Sequence, residues 1–116
     1  MKRKYGDYIE DIIDSIKKTQ KFIKGITYQQ FTKDEKTIYA VIRAVEVIGE
    51  AAKNIPYPLQ KKYPDIPWKD MAGMRDKLIH EYFGIKLDIV WNTVNKELPS
   101  LRDKFVKILK DFERNE

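Results

Sequence analysis

The chain predicts an all-α fold: an antiparallel bundle of four to five helices in one domain spanning residues 1–116. Three observations predict it. Apolar residues recur at helical spacing through most of the 116 residues, and no stretch alternates as a strand would. Glycine and proline fall between the periodic segments rather than inside them. The length suits one modest core, with no internal repeat or low-complexity tract to suggest a second domain.

The first helix is expected from about Tyr5 to Lys24. Tyr5, Tyr8, Ile9, Ile12, Ile13, Ile16 and Ile23 share its apolar stripe, and Gly25 stands where a C-terminal cap belongs. "ITYQQF" reads as a short connection. The second helix is expected to start at Thr32, with Glu35 three residues on completing a capping box. Ile38, Val41, Ile42, Val45, Ile48 and Ala52 form its apolar face, ending near Asn54. Arg43, Glu46 and Glu50 lie together on the neighbouring face. They make either a solvated ion-pair strip or a polar strip packed against another helix or another subunit.

Four prolines break up "IPYPLQKKYPDIPW", leaving room for at most one helical turn between Pro58 and Tyr63. Asp65 as cap and Pro67 in the first turn then predict a third long helix. It directs Trp68, Met71, Ala72, Leu78 and Ile79 to the core and ends before Gly84. Asp88 is the expected cap of a fourth helix carrying Val90, Trp91, Val94 and Leu98, which Pro99 kinks or restarts. Leu101, Phe105, Ile108, Leu109 and Phe112 mark the last helix.

Composition excludes several function classes. No apolar run approaches the roughly 20 residues of a membrane span, and no signal-peptide pattern opens the chain. With no cysteine and one histidine, disulfides, thiolate chemistry and a zinc site within one chain are ruled out; no cofactor is implied. A cysteine-free chain fits a cytoplasmic location. The net charge of +5 favours an anionic partner, but lysines and acids are mixed along the chain. Only five of the 23 basic residues are arginines, so each arginine is the more informative cation for phosphate contact.

The chemistry concentrates in "GMRDKLIHEYFG". It holds the single histidine, His80, with Arg75 five residues before and Tyr82 two after. RNA cleavage without a metal needs a base for the 2′-hydroxyl, a cation for the phosphate and an acid for the leaving oxygen. His80 is suited to proton transfer, Arg75 to clamping phosphoryl oxygens, and Tyr82 to hydrogen bonding or base stacking. On an ideal helix Arg75 and His80 stand roughly 140° apart. Either the helix loosens near His80 or the site draws on more than one chain. One histidine cannot be base and acid in the same step, so a nuclease of this kind works as a dimer. The plain alternative is a helix end, with His80 favoured by the dipole and Arg75 paired with Asp76 or Glu81.

"GMRDKLIHEYFGI" resembles the R-x4-H-x-Y motif of HepT-like proteins of the HEPN superfamily. "YIEDIIDSI", "RAVEVIGEAAKNIP", "YPDIPWKDM" and "VWNTV" follow the order of that family and extend the likeness over most of the chain. The resemblance implies an all-helical homodimer acting as an RNase toxin. Arg75 and His80 would be catalytic at the cleft between two subunits. It implies a partner as well, an MntA-like nucleotidyltransferase antitoxin that attaches AMP to Tyr82. Asp76 stands where the family commonly has Asn, and would either orient Arg75 or weaken its hold on phosphate. The likeness also favours a packed role for Arg43, Glu46 and Glu50, and a close helix approach at Gly49, a costly residue in mid-helix. Two other readings stay open: a non-catalytic dimeric partner of a nucleotidyltransferase, and a nucleotide- or RNA-binding bundle.

Overall fold

The isoleucine spacing of the first segment produces α1, Tyr5–Ile23, with Ile9, Ile12, Ile13, Ile16 and Ile23 all buried. The computed structural model describes residues 4–81 and 86–114, with the backbone alone for 75–81. Gly25 closes α1 at φ +78°, the left-handed conformation that glycine adopts without steric cost. The helix also buries Thr19, whose hydroxyl donates to the Ile16 carbonyl at 2.7 Å and so leaves no unmet donor in the core.

The expected connection "ITYQQF" is instead a short helix, α2, Tyr28–Lys33. Its signal is Thr27 with Gln30, a reciprocal cap in which each side chain accepts from the other's backbone N–H, at 3.1 and 2.9 Å. The next start is corrected in consequence. Thr32 belongs to the last turn of α2, where its hydroxyl donates to the Gln29 carbonyl. Asp34 caps α3, Glu35–Lys53, accepting from the Thr37 N–H at 3.1 Å and the Thr37 hydroxyl at 2.6 Å. Those two bonds, the hydroxyl first, hold the Asp34 carboxyl below its ordinary range.

One and a half turns fit among the prolines as α4, Tyr57–Lys62. The long helix after it, α5, runs Trp68–Glu81. Asp65 is not its cap. The Pro67 carbonyl takes the Met71 N–H at 3.0 Å, and the Asp65 carboxylate pairs with Lys104 at 3.5 Å. Asp88 likewise lies inside the first turn of α6, Leu87–Asn92, which Lys86 precedes without a side-chain cap. A π-helical segment, Thr93–Glu97, joins α6 to α7, Leu98–Arg114, in one rod. Pro99 explains it: proline cannot donate to the Asn95 carbonyl and its ring would strike it, so the turn before it widens. The proline alters the helix without restarting it.

Among the described residues, then, four long rods and two short helices make an all-helical bundle with no strand. The rods alternate in direction. Gly6 at the start of α1 lies beside Leu109 and Phe112, while Arg102 near the start of α7 donates to Gln20 near the end of α1 at 3.2 Å. Tyr8 shares a groove with Ala51 and Asn54, whereas Phe22 shares one with Ala40, so α1 is antiparallel to α3. Trp68 stands edge-on to Phe105, ring centroids 5.7 Å apart, and donates from Nε1 to the Tyr63 carbonyl at 3.0 Å. Tyr63 donates in turn to Asp111 at 3.2 Å. These contacts put the start of α5 at the end of the bundle where α3 finishes. Its last two turns therefore run beside the first half of α3. No described helix is long and apolar enough to cross a membrane.

Candidate functional site

Trp68 and Met71, 6% and 0% exposed, anchor the first turn of α5 in the core. From there the helix continues without a break to Glu81. Arg75 and His80 therefore sit on one regular helix, about 7.5 Å apart along its axis and roughly 140° apart around it. The helix does not loosen between them. Of the two ways to bring them to one phosphate, that leaves two chains. The side chains of Arg75, Asp76 and His80, and the whole of Tyr82, lie outside the described residues, as do those of Leu78 and Ile79.

A groove of about 710 Å³ opens between α5 and the α6–π rod. Gly73, Met74 and Ile89 give it an apolar floor, and Asp70, Asp88 and Glu97 stand around it. His80 comes seven residues after Gly73, nearly two turns, and so shares the helix face that borders this groove. Three carboxylates make the groove a poor seat for a phosphate backbone, which places that task on Arg75. Sequence reasoning missed these residues. The one signal was Pro99, whose π turn sets the angle at which Thr93 and Glu97 meet α5.

The Arg43, Glu46, Glu50 strip lies on the outer face of α3. Arg43 pairs with Glu46 at 3.6 Å, their side chains 75% and 29% exposed. Within one chain the strip is solvated rather than packed beneath a neighbouring helix. It borders a groove of about 380 Å³ between α1 and α3, lined also by Tyr8, Asp11 and Ala51. Ala44 and Ala51 mark the flank of α3 that meets α1. Gly49 and Ile42, both buried, lie roughly 160° around the helix from Ala51 and Ala44. That is the flank against which α5 packs. A glycine there suits the close approach of two helices.

Residues 12–108 match the family model described as "HepT-like: Ribonuclease HepT-like". The chain is 50% identical over 110 residues to "Probable ribonuclease HepT" of Thermococcus cleftensis, covering 95% of this chain and 100% of the relative. It is 45% identical to "Putative RNase MJ1216" of Methanocaldococcus jannaschii, covering 97% and 93%. To "Putative RNase TTE0752" of Caldanaerobacter subterraneus it is 44% identical, covering 88% and 91%. No solved structure matches.

Proposed function

Because this chain belongs to the HepT-like ribonuclease family, we propose that it is an endoribonuclease whose site is completed by two copies of α5. The observation that carries the two-copy site is the unbroken helix between Arg75 and His80. A single helix turns the two side-chain types away from each other, and a single histidine cannot serve as base and acid at once.

In the proposed reaction one His80 takes the proton from the 2′-hydroxyl. The 2′-oxygen then bonds to phosphorus as the bond from phosphorus to the 5′-oxygen breaks. The second copy's His80 gives its proton to that leaving oxygen. Arg75 neutralises charge on the non-bridging oxygens, its bidentate guanidinium matching the phosphate. Asp76, next to Arg75 in the chain, orients it. No step calls for a metal. Arg43, Glu46 and Glu50 support the α5 pair from α3.

Tyr82, two residues beyond His80, is the proposed control point. An MntA-like nucleotidyltransferase would attach AMP to its hydroxyl. The added bulk and negative charge beside the phosphate site would repel RNA. The chain would then be the toxin of a toxin–antitoxin pair.

The test is cleavage of RNA by purified protein with and without EDTA. His80→Ala and Arg75→Ala are expected to abolish cleavage, and EDTA to change it little. Cleavage that survives His80→Ala, or that EDTA stops, refutes the mechanism. Co-expression with a nucleotidyltransferase followed by intact mass tests the switch. The expected result is a mass gain in units of AMP that Tyr82→Phe abolishes.

A further inference from the structure

We infer that the outer strip of α3 is a two-fold seam, on which Arg43 of each copy meets Glu50 of the other and the two α5 helices come to lie face to face. The inference rests on the two-copy site proposed above and gives that site an address on the surface.

The strip is self-complementary. Tyr39, Arg43, Glu46 and Glu50 follow one another at intervals of four, three and four residues. All fall within a narrow sector of the helix. The charges are ordered, with the cation towards the start of α3 and Glu50 towards its end. A uniformly basic or uniformly acidic partner would leave one of them facing its own sign. An antiparallel copy would not. With the axis between Glu46 and Val47, Arg43 and Glu50 stand equally far on either side, about 5 Å along the helix. Each then opposes the other across the seam, twice, as an isologous interface requires. Glu46 stays with its own Arg43 at 3.6 Å near the axis.

The same face carries apolar surface with no cover in one chain. Tyr39 and Phe22 are 53% and 37% exposed, and Val47 and Ala40 are half-buried. α3 is 19 residues long, or about 28 Å, and the α1–α3 face is about 20 Å wide at roughly 10 Å per helix. Two such faces bury on the order of 1,100 Å², the lower end of what a specific interface needs.

The symmetry has a consequence for α5. A two-fold axis that pairs α3 antiparallel with its copy lies in the interface plane, perpendicular to the helix. It reverses chain direction and exchanges the two copies, but leaves each flank on its own side. α1 packs on one flank of α3 and α5 on the other. Both α5 helices therefore finish on the same flank of the seam, one on each side of it. A parallel pairing would set α5 against the second copy's α1 and separate the two sites.

The test is sedimentation velocity on wild type, Arg43→Glu, Glu50→Arg and the double variant, with far-UV circular dichroism as the check on folding. Arg43 is 75% exposed, so its replacement leaves the fold intact. Wild type is expected to be dimeric. Each single variant should raise the dissociation constant about tenfold or more, since it sets like charges against each other twice. The double variant, which restores opposite charges, should recover the dimer. A monomeric wild type, single variants that dimerise like wild type, or a double variant that stays dissociated each overturn the seam. RNA cleavage separates the two readings. A charge-dependent dimer that never cleaves RNA refutes the ribonuclease site and leaves the seam standing. An Arg43→Glu protein that stays dimeric and cleaves refutes the seam alone.

Discussion

Replacing Phe105 with alanine should unlatch α5 from α7. Phe105 is fully buried, and its ring meets Trp68 edge-on at 5.7 Å with an interplanar angle of 84°. Returning a buried phenylalanine side chain to water costs about 1.5–3 kcal/mol. Trp68 and the helices around the gap are held by their own contacts and collapse only in part, so the total should reach about 3–5 kcal/mol. For a 116-residue domain, the unfolding entropy is about 0.24 kcal/mol/K, so a loss near 4 kcal/mol lowers Tm by roughly 16 °C. Phe105→Leu keeps most of the volume and should cost no more than about 1.5 kcal/mol, or roughly 6 °C. Scanning calorimetry and urea unfolding measure both. An alanine variant within about 1 kcal/mol of wild type would refute the placement of Phe105 at the α5–α7 contact. The leucine variant should still cleave RNA, because α5 keeps its seat.

Two glycines should respond with opposite signs. Gly25→Ala forces a β-carbon onto a residue at φ +78° and should cost about 1–2 kcal/mol. Gly73→Ala, in the interior of α5 with nothing within 4 Å of an added β-carbon, should stabilise by about 0.5–1 kcal/mol. Urea midpoints of equal sign would contradict one of the two backbone assignments. At low pH, Asp34 contributes stability that is complete above its ordinary value of 3.8 and is lost as pH falls through its lowered folded value. The stability difference between wild type and Asp34→Ala should therefore shrink on acidification, and a difference flat with pH counts against the cap. At high pH the sign reverses for Tyr63. Burial, then its bond to Asp111, raises its hydroxyl above the ordinary 10.0. Its contribution is present below that value and lost as pH rises through the folded one. Wild type should lose more stability than Tyr63→Phe above pH 10. Equal losses in an alkaline urea series would refute the Tyr63–Asp111 link.

Much of this molecule was legible before any coordinates. Ile9, Ile12 and Ile16, and Val41, Val45 and Ile48, announce buried stripes because helical periodicity is a local property. Errors gathered at helix starts. Thr32, Asp65 and Asp88 all have capping side chains, but a cap works only where the following N–H groups are free to reach it. Asp34 had those N–H groups. Thr32 was still bonded inside α2, and Asp65 had turned to Lys104. The Thr27–Gln30 box was as readable as the one chosen and was passed over as a connection.

The sequence by itself determined the chemistry on offer. Arg75, His80 and Tyr82 stand out because one histidine, a scarce arginine and a tyrosine share a short stretch, and their order matches a family motif. Only the tertiary structure decided how that chemistry can be assembled. It keeps α5 regular to Glu81, so that one chain separates Arg75 from His80. It leaves Arg43 in water rather than under a neighbouring helix. It also sets α1 and α5 on opposite flanks of α3. The reason is physical. Periodicity tells which face of a helix is apolar, but which neighbour covers that face, and which charges stay outside, depends on contacts between residues far apart in the chain.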